Sequence, residues 1–370
     1  MIETLRIHGY RSLEDVRLPL SPLTVVTGAN GTGKSNLYRS LQLLARAARG
    51  ELAKAIVEEG GMPSVLWSGQ RRRTSRQPSR VQFSIAVQTD SFGYELECGL
   101  PIPRATLFRR DPDVKAERAW LGDKPRPSML FLERDHASAS LRAADGQRQD
   151  YAGNIESTET ALAQIQDARR YPDVEVMRTH FLRWRFYHHF RVDPESPLRQ
   201  PRQSTLTPSL ASDAGDLAAA LQTIREIGDA AALDAAIDRM QAGAQLEIVD
   251  IESNGWLDVR LHTPGLLRPL ALRELSDGTV RYLALVAALL SPRPAPLLAF
   301  NEPESSLHPN LIAPLAALFV SAAQRSQIWV TTHSDALTHA LAEASGHRPI
   351  RLQLEKGATR IVGQNLLEGV

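Results

Sequence analysis

The run Gly28-Ala29-Asn30-Gly31-Thr32-Gly33-Lys34-Ser35-Asn36 constrains this chain more than any other stretch. Gly28, Gly33, Lys34 and Ser35 satisfy the G-x-x-x-x-G-K-[ST] spacing of a phosphate-binding loop. The apolar, β-branched run Leu23 to Thr27 leads in, and a helix-like run from Asn36 leads out. In that order, strand, loop and helix let backbone N–H groups wrap a polyphosphate while the positive end of the helix faces its charge. Lys34 is expected to reach the β- and γ-phosphates and the Ser35 hydroxyl to ligate Mg²⁺. The expectation is an α/β fold of P-loop type that binds a nucleoside triphosphate with Mg²⁺ along Gly28 to Asn36.

Composition excludes more than it assigns. A chain of 370 residues can bury a large core, and its formal net charge of +1 announces neither nucleic acid nor membrane. Contact with DNA would have to come from a local patch. Cys98 is the only cysteine, which excludes an intramolecular disulfide and a cysteine-rich zinc site. The start is charged and has no signal-peptide core. The apolar run Tyr282 to Leu290 is too short to span a bilayer, so the expectation is a cytoplasmic protein without membrane contact.

Along the chain, Thr4 to Ser21 alternates as a hairpin should, and the helix after the phosphate loop is expected to end near Gly50. Val81 to Gln88 and Phe92 to Leu100 read as an antiparallel strand pair. Between them and the loop lie Arg71, Arg72, Arg73, Arg76 and Arg80, read as a solvated loop with a phosphate-backbone contact as the alternative. Asp111 to Asp150 is irregular. Helices are expected at Thr158 to Arg169, Asp213 to Ile224 and Asp229 to Gln241, and a hairpin at Gln245 to Thr263 around an Asn-Gly turn. Phe181 to Arg191 mixes basic and aromatic residues, as proteins that bind single-stranded nucleic acid do. Its alternation suits an ordinary strand, which would send His188 and His189 to opposite faces and rule out one shared site. The lobes implied are about 1–110 and 245–370, with 111–244 inserted as a mixed or helical lobe.

The last third carries polar residues at the ends of apolar strands. Leu275-Ser-Asp-Gly-Thr279 precedes an apolar helix. Pro296 to Phe300 runs into Asn301-Glu302-Pro303-Glu304-Ser305-Ser306-Leu307-His308-Pro309, and Gln327 to Thr332 ends at His333 and Ser334. A strand that ends in Glu or His can place it at the carboxyl edge of a sheet, beside a bound phosphate.

Four blocks together resemble the ATP-binding-cassette ATPases of the RecF/SMC-like branch, and most closely the small AAA-type ATPases near the OLD proteins. They are the opening LRIHGYRSLEDVRL, GANGTGKSN, LSDGT (similar to the signature LSGGQ) and NEPESSLHP followed by TTHS. The resemblance implies an ABC-type ATPase head with an antiparallel β subdomain and a helical insertion lobe. It implies an ATP-dependent homodimer in which Ser276 and Gly278 contact the γ-phosphate of the partner's ATP. Glu302 would be the general base, His333 the γ-phosphate sensor, and Ser305 and Ser306 the D-loop. Tyr10 and Arg11 would approach the base or ribose. Gln82 is one candidate for the Q-loop glutamine, whose place stays open. Asn301 stands where the family has Asp. It keeps an acceptor for a Mg²⁺-bound water but not the charge, which implies weaker Mg²⁺ binding or slower turnover.

The function implied is an ATPase switch acting on DNA or on a partner effector or nuclease, in genome maintenance or anti-phage defence. The alternative is an ATP-sensing scaffold with little turnover. An OLD-type nuclease is not expected, since little chain follows His333 to hold a TOPRIM domain, and nothing suggests a transporter subunit.

Overall fold

The computed structural model describes residues 1–69, 81–101 and 107–363. The basic run 71–80 lies outside them. Two compact units divide the chain: one holds Met1–Ser21, Gly28–Trp184 and the chain from Arg351, the other Pro22–Thr27 and Arg185–Ile350.

The first strands are β1 (Ile2–Tyr10), β2 (Leu13–Pro19) and β3 (Leu23–Thr27), of which β3 belongs to the second unit. In the first unit, β1 and β2 form the expected hairpin. The sheet continues through β4 (Gln82–Thr89), β5 (Phe92–Gly99), β6 (Asp113–Leu121), β7 (Leu130–Asp135), β8 (Ser138–Arg142) and β9 (Arg148–Asp150), in the order β2-β1-β4-β5-β6-β7-β8-β9. All its pairings are antiparallel. Burial alternates strictly along β4, as it does when one sheet face packs and the other is wet. The irregular stretch 111–150 is thus four strands of this sheet, broken by turns that interrupt its alternation.

Helices α1 (Lys34–Ala47), α2 (Leu52–Glu58), α3 (Met62–Val65), α4 (Ala161–Gln164) and α5 (Pro172–Leu182) complete this unit, with the terminal hairpin at Ile350–Glu355 and Ala358–Ile361. The helix expected from Thr158 shrinks to one turn. Glu117 takes the N–H groups of Ala161 and Leu162, and Ile165 leaves the helix with an extended backbone and a buried side chain. The strand expected at Phe181 to Arg191 is also shorter. Phe181 lies in the last turn of α5, against Phe92, Tyr94 and Trp184, so only Arg185–Tyr187 is left to pair. Tertiary packing overrides the local pattern at both places.

That strand is β10 in the second unit. With β15 (Leu297–Asn301), β16 (Gln327–Thr332) and β3 it makes a parallel array in the order β10-β15-β16-β3. Every residue of β16 is buried, as expected for a parallel strand covered on both faces. A second sheet has β13 (Trp256–His262) between β11 (Arg202–Gln203) and β12 (Gln245–Ile251), with β14 (Leu270–Ala271) also on β13. The expected hairpin is β12–β13. Helices α6 (Leu217–Ile227), α7 (Ala230–Met240), α8 (Asp277–Leu289), α9 (Ile312–Ala322) and α10 (Asp335–Ser345) supply the rest of the core. Helix α8 is buried without a break from Val280 to Leu289, so it can have no polar face there. No helix among the described residues is long and apolar enough to cross a membrane.

Residues 111–244 do not stand apart as a unit: 111–184 belong to the first and 185–244 to the second.

Candidate functional site

In the first unit, the phosphate loop closes on the N-terminus of α1. Gly33 takes φ +101°, and a Cβ there would fall on the Thr359 hydroxyl and 2.9 Å from Ser12 Oγ. Only glycine fits that backbone and that space. No side chain caps α1, which leaves its first N–H groups facing the loop. Lys34 is buried, and its Nζ donates to the carbonyls of Gly28 (2.6 Å) and Ala29 (3.1 Å). Ser35, Asn30 and Gly31 are exposed along the same loop, and Thr32 Oγ1 donates to Ala29 O at 2.8 Å. An ammonium on the loop's own carbonyls, an uncapped helix start and a glycine cradle fit a polyphosphate.

Sequence reasoning missed the floor of this cradle. Ser12 Oγ accepts from Asn36 Nδ2 at 2.8 Å and lies 2.7 Å from Thr359 Oγ1. Ser12 is the last residue of the Tyr-Arg-Ser element, so its position after β1 was the available signal. Arg11, expected near the base or ribose, has φ +51° and is ion-paired to Glu59 (2.5 Å), which also accepts from Tyr10 Oη at 3.0 Å.

In the second unit, the polar residues gather at the carboxyl ends of β15 and β16. Asn301 Oδ1 accepts from Thr331 Oγ1 at 2.7 Å. Glu302 follows with φ +49°, a left-handed backbone that costs energy for a residue with a Cβ. Its carboxylate lies 3.3 Å from His333 Nδ1. Glu304, which sequence reasoning passed over, is the buried member: its side chain is 8% exposed, against 35% for Glu302 and 52% for His333. Glu304 Oε1 accepts from the Thr332 hydroxyl and lies 4.0 Å from His333 Nδ1, while Oε2 has no partner. A second acidic residue two positions after Glu302 and the Thr-Thr pair before His333 were its only sequence signals.

The signature segment lies in the same unit. Ser276 caps α8 through Thr279 N (3.2 Å). A Cβ on Gly278 would come within 2.5 Å of Ser306 O, so glycine lets α8 approach the residue expected in the D-loop. Buried Arg199 fixes the approach, donating to Leu272 O (2.9 Å) and Leu275 O (2.8 Å) and pairing with Asp277 (2.6 Å). Ser276, Gly278, Thr279, Ser306 and His308 line an open cavity of about 600 Å³.

His188 and His189 correct the sequence reading. They follow β10 instead of alternating along it, and both line one cavity with Arg281 and Glu302. Among the described residues no group of three or more His, Cys, Asp or Glu side chains could hold a metal ion.

Known proteins agree with this arrangement. A family model described as "AAA domain, putative AbiEii toxin, Type IV TA system" matches residues 23–338. A 44-residue stretch is 43% identical to the OLD nuclease of Thermus scotoductus, covering 12% of this chain and 8% of that protein. Another, of 83 residues, is 37% identical to the chromosome partition protein Smc of Rhodopseudomonas palustris, covering 22% of this chain and 7% of that one. The matched stretches are therefore a small part of either relative's length. The whole fold is similar to a solved SMC head bound to the C-winged helix domain of ScpA, with TM-score 0.53 and 16% identity over 99% of this chain and 98% of that one. It is equally similar to a Pyrococcus furiosus Smc head bound to the C-terminal domain of ScpA, with TM-score 0.53 and 13% identity over 98% and 95% of the two chains. Identities this low carry the fold alone. The phosphate loop, the mixed sheets and the family model place the chain among P-loop ATPases, a class that binds ATP, and it belongs to the AAA_21 family.

Proposed function

We propose that the chain is an ATP-hydrolysing switch: ATP and Mg²⁺ bind the loop Gly28 to Asn36, two copies close head to tail, and hydrolysis reopens them. The observation that carries the reading is the pairing of Glu302 with His333 at the carboxyl ends of adjacent parallel strands. A carboxylate there can orient a water for attack, and an imidazole beside it can meet the developing phosphate charge. Ser276 and Gly278, at the start of α8, would take the γ-phosphate of the partner's ATP, where the helix dipole favours an anion. The Ser35 hydroxyl is proposed to ligate Mg²⁺, a hard cation that leans on phosphate and water oxygens, and the Asn301 amide oxygen to accept from a Mg²⁺-bound water. With the relatives named a nuclease and a chromosome partition protein, the motion is proposed to act on DNA or on a partner protein.

The test is mass in solution with and without ATP, alongside steady-state hydrolysis. ATP should double the mass of the wild type. Ser276→Arg should bind ATP yet stay monomeric, because a bulky cation would fill the trans site. A wild type that stays monomeric with ATP sinks the head-to-tail dimer. A second reading, an ATP sensor with little turnover, is favoured by Asn301, whose Oδ1 is already engaged by Thr331. ATP-dependent mass without hydrolysis would select it.

A further inference from the structure

Arg281 is a buried cation of the second unit, on which Asp277, one turn earlier on α8 and already paired with Arg199, acts from beyond ion-pair distance. Its residue is 4% exposed, on the buried face of α8. Nη1 donates to Ser305 O at 2.5 Å, and Nη2 reaches Phe190 O at 3.3 Å and His189 Nδ1 at 3.5 Å. Nε is buried without a partner, and among the described residues no carboxylate forms an ion pair with this guanidinium. Burial accordingly pulls its pKa below the usual arginine value. A buried cation held by two carbonyls and an imidazole keeps most of its desolvation cost, which an anion beside it would offset.

The space for that anion is present. Arg281 lines a cavity of about 200 Å³ with His188, His189, Asn301, Glu302 and Ser305. That is room for several waters at roughly 30 Å³ each, or for one tetrahedral oxyanion. The wall brings donors (guanidinium, imidazole) together with one obligate acceptor, the Glu302 carboxylate. A fully ionised oxyanion such as sulfate can only be repelled by that carboxylate. Orthophosphate at neutral pH still carries a P–OH and can donate to it.

We propose that this cavity is an orthophosphate site, in which Arg281 and His189 hold the anion and the Glu302 carboxylate accepts a hydrogen bond from its P–OH. The naming of orthophosphate as the physiological occupant rests on the hydrolytic reading, since hydrolysis at Glu302 releases it next to the cavity; an oxyanion site at Arg281 does not depend on that reading. A phosphate lodged there would sit between α8, which carries the signature, and Ser305, which precedes the contact of Ser306 with Gly278.

The test is binding of inorganic phosphate to nucleotide-free full-length protein by ³¹P line broadening and calorimetry. The Lys34→Ala background removes the phosphate loop as a competing site. Phosphate should still bind Lys34→Ala, should bind at least about tenfold more tightly than sulfate, and should be lost in Lys34→Ala/Arg281→Gln. The tenfold preference is the order of one charge-assisted hydrogen bond. His189→Ala in the same background, checked for an unchanged melting temperature, should weaken phosphate several-fold and stands in if the Arg281 variant does not fold. Loss of binding with Lys34→Ala alone overturns the proposal, and equal affinity for sulfate overturns the role given to Glu302. Hydrolysis by the wild type with no phosphate bound by Lys34→Ala sinks this site only. Phosphate binding at Arg281 in a protein that never hydrolyses ATP sinks the hydrolytic reading only.

Discussion

Two glutamates with buried side chains, one in each unit, differ in how completely they are satisfied. Glu117, in the antiparallel sheet, is fully buried and accepts from Tyr94 Oη (2.9 Å), Ala161 N (2.6 Å) and Leu162 N (3.0 Å), with Arg134 at 3.7 Å. Arg134 in turn spends its donors on the carbonyls of His136, Glu156 and Glu159. Glu304, at the end of the parallel array, has one hydroxyl on Oε1, a histidine at 4.0 Å, and nothing on Oε2. A closed polar network specifies a packing, whereas an open one keeps capacity for a ligand, a water or a proton. The first glutamate ties the α4 turn to the sheet. The second stands beside the residues proposed to hydrolyse ATP.

The largest effect that can break this contrast is at Glu302, the half-buried neighbour of Glu304. Glu302→Gln should lower kcat for ATP by about 10²- to 10⁴-fold, the usual loss for a general base, with an unchanged melting temperature and a closed dimer that accumulates with ATP. A variant that melts early while hydrolysing normally would make Glu302 structural.

Glu117→Gln should do the reverse. Removing one partner of a buried pair leaves Arg134 uncompensated, at a cost of about 3 kcal/mol in urea unfolding. Turnover per folded molecule should stay at the wild-type value. Normal stability would mean that the backbone carbonyls on Arg134 satisfy it without Glu117.

Glu304→Gln sharpens the comparison. The amide oxygen can still accept from Thr332, so stability should change by no more than about 1 kcal/mol, one ordinary hydrogen bond. The charge beside His333 is lost, and turnover should fall by roughly tenfold, about 1.4 kcal/mol of barrier. A loss of stability as large as that of Glu117→Gln would place both glutamates in the same structural class.

Neither glutamate of this contrast was legible in the sequence, although much of the frame around Glu304 was. The phosphate loop, the hairpin β1–β2, the pair β4–β5, the apolar helix after Thr279 and the strands that end at Asn301 and Thr332 all follow from local spacing. Glu117 could not be read, because its partners Tyr94, Arg134 and Ala161 come from three distant segments and each looks ordinary alone. Glu304 was overlooked because its distinguishing property is an oxygen without a partner, which no motif records. Ser12 and Thr359 meet under Gly33 from opposite ends of the chain. His188 and His189 were misread because the alternation around them suits a strand, while only Arg185–Tyr187 pairs with β15.

The smallest expected effect is at Asn301. Its Oδ1 accepts from Thr331 Oγ1 at 2.7 Å, so an aspartate of the same shape can keep that bond. What changes is charge. A carboxylate near the waters of a bound Mg²⁺ attracts the cation as well as accepting from its hydration shell. The new carboxylate also sits beside Glu302, and two neighbouring carboxylates raise each other's pKa, which works against a base that must be ionised. Asn301→Asp should therefore shift the Mg²⁺ concentration for half-maximal hydrolysis down by a few-fold and change kcat less than either glutamate variant does. Mg²⁺ titrations at saturating ATP for the two proteins decide it. Superimposed curves would remove Asn301 from the metal, and with it the placing of Asn301-Glu302 on the pattern in which the family has Asp-Glu.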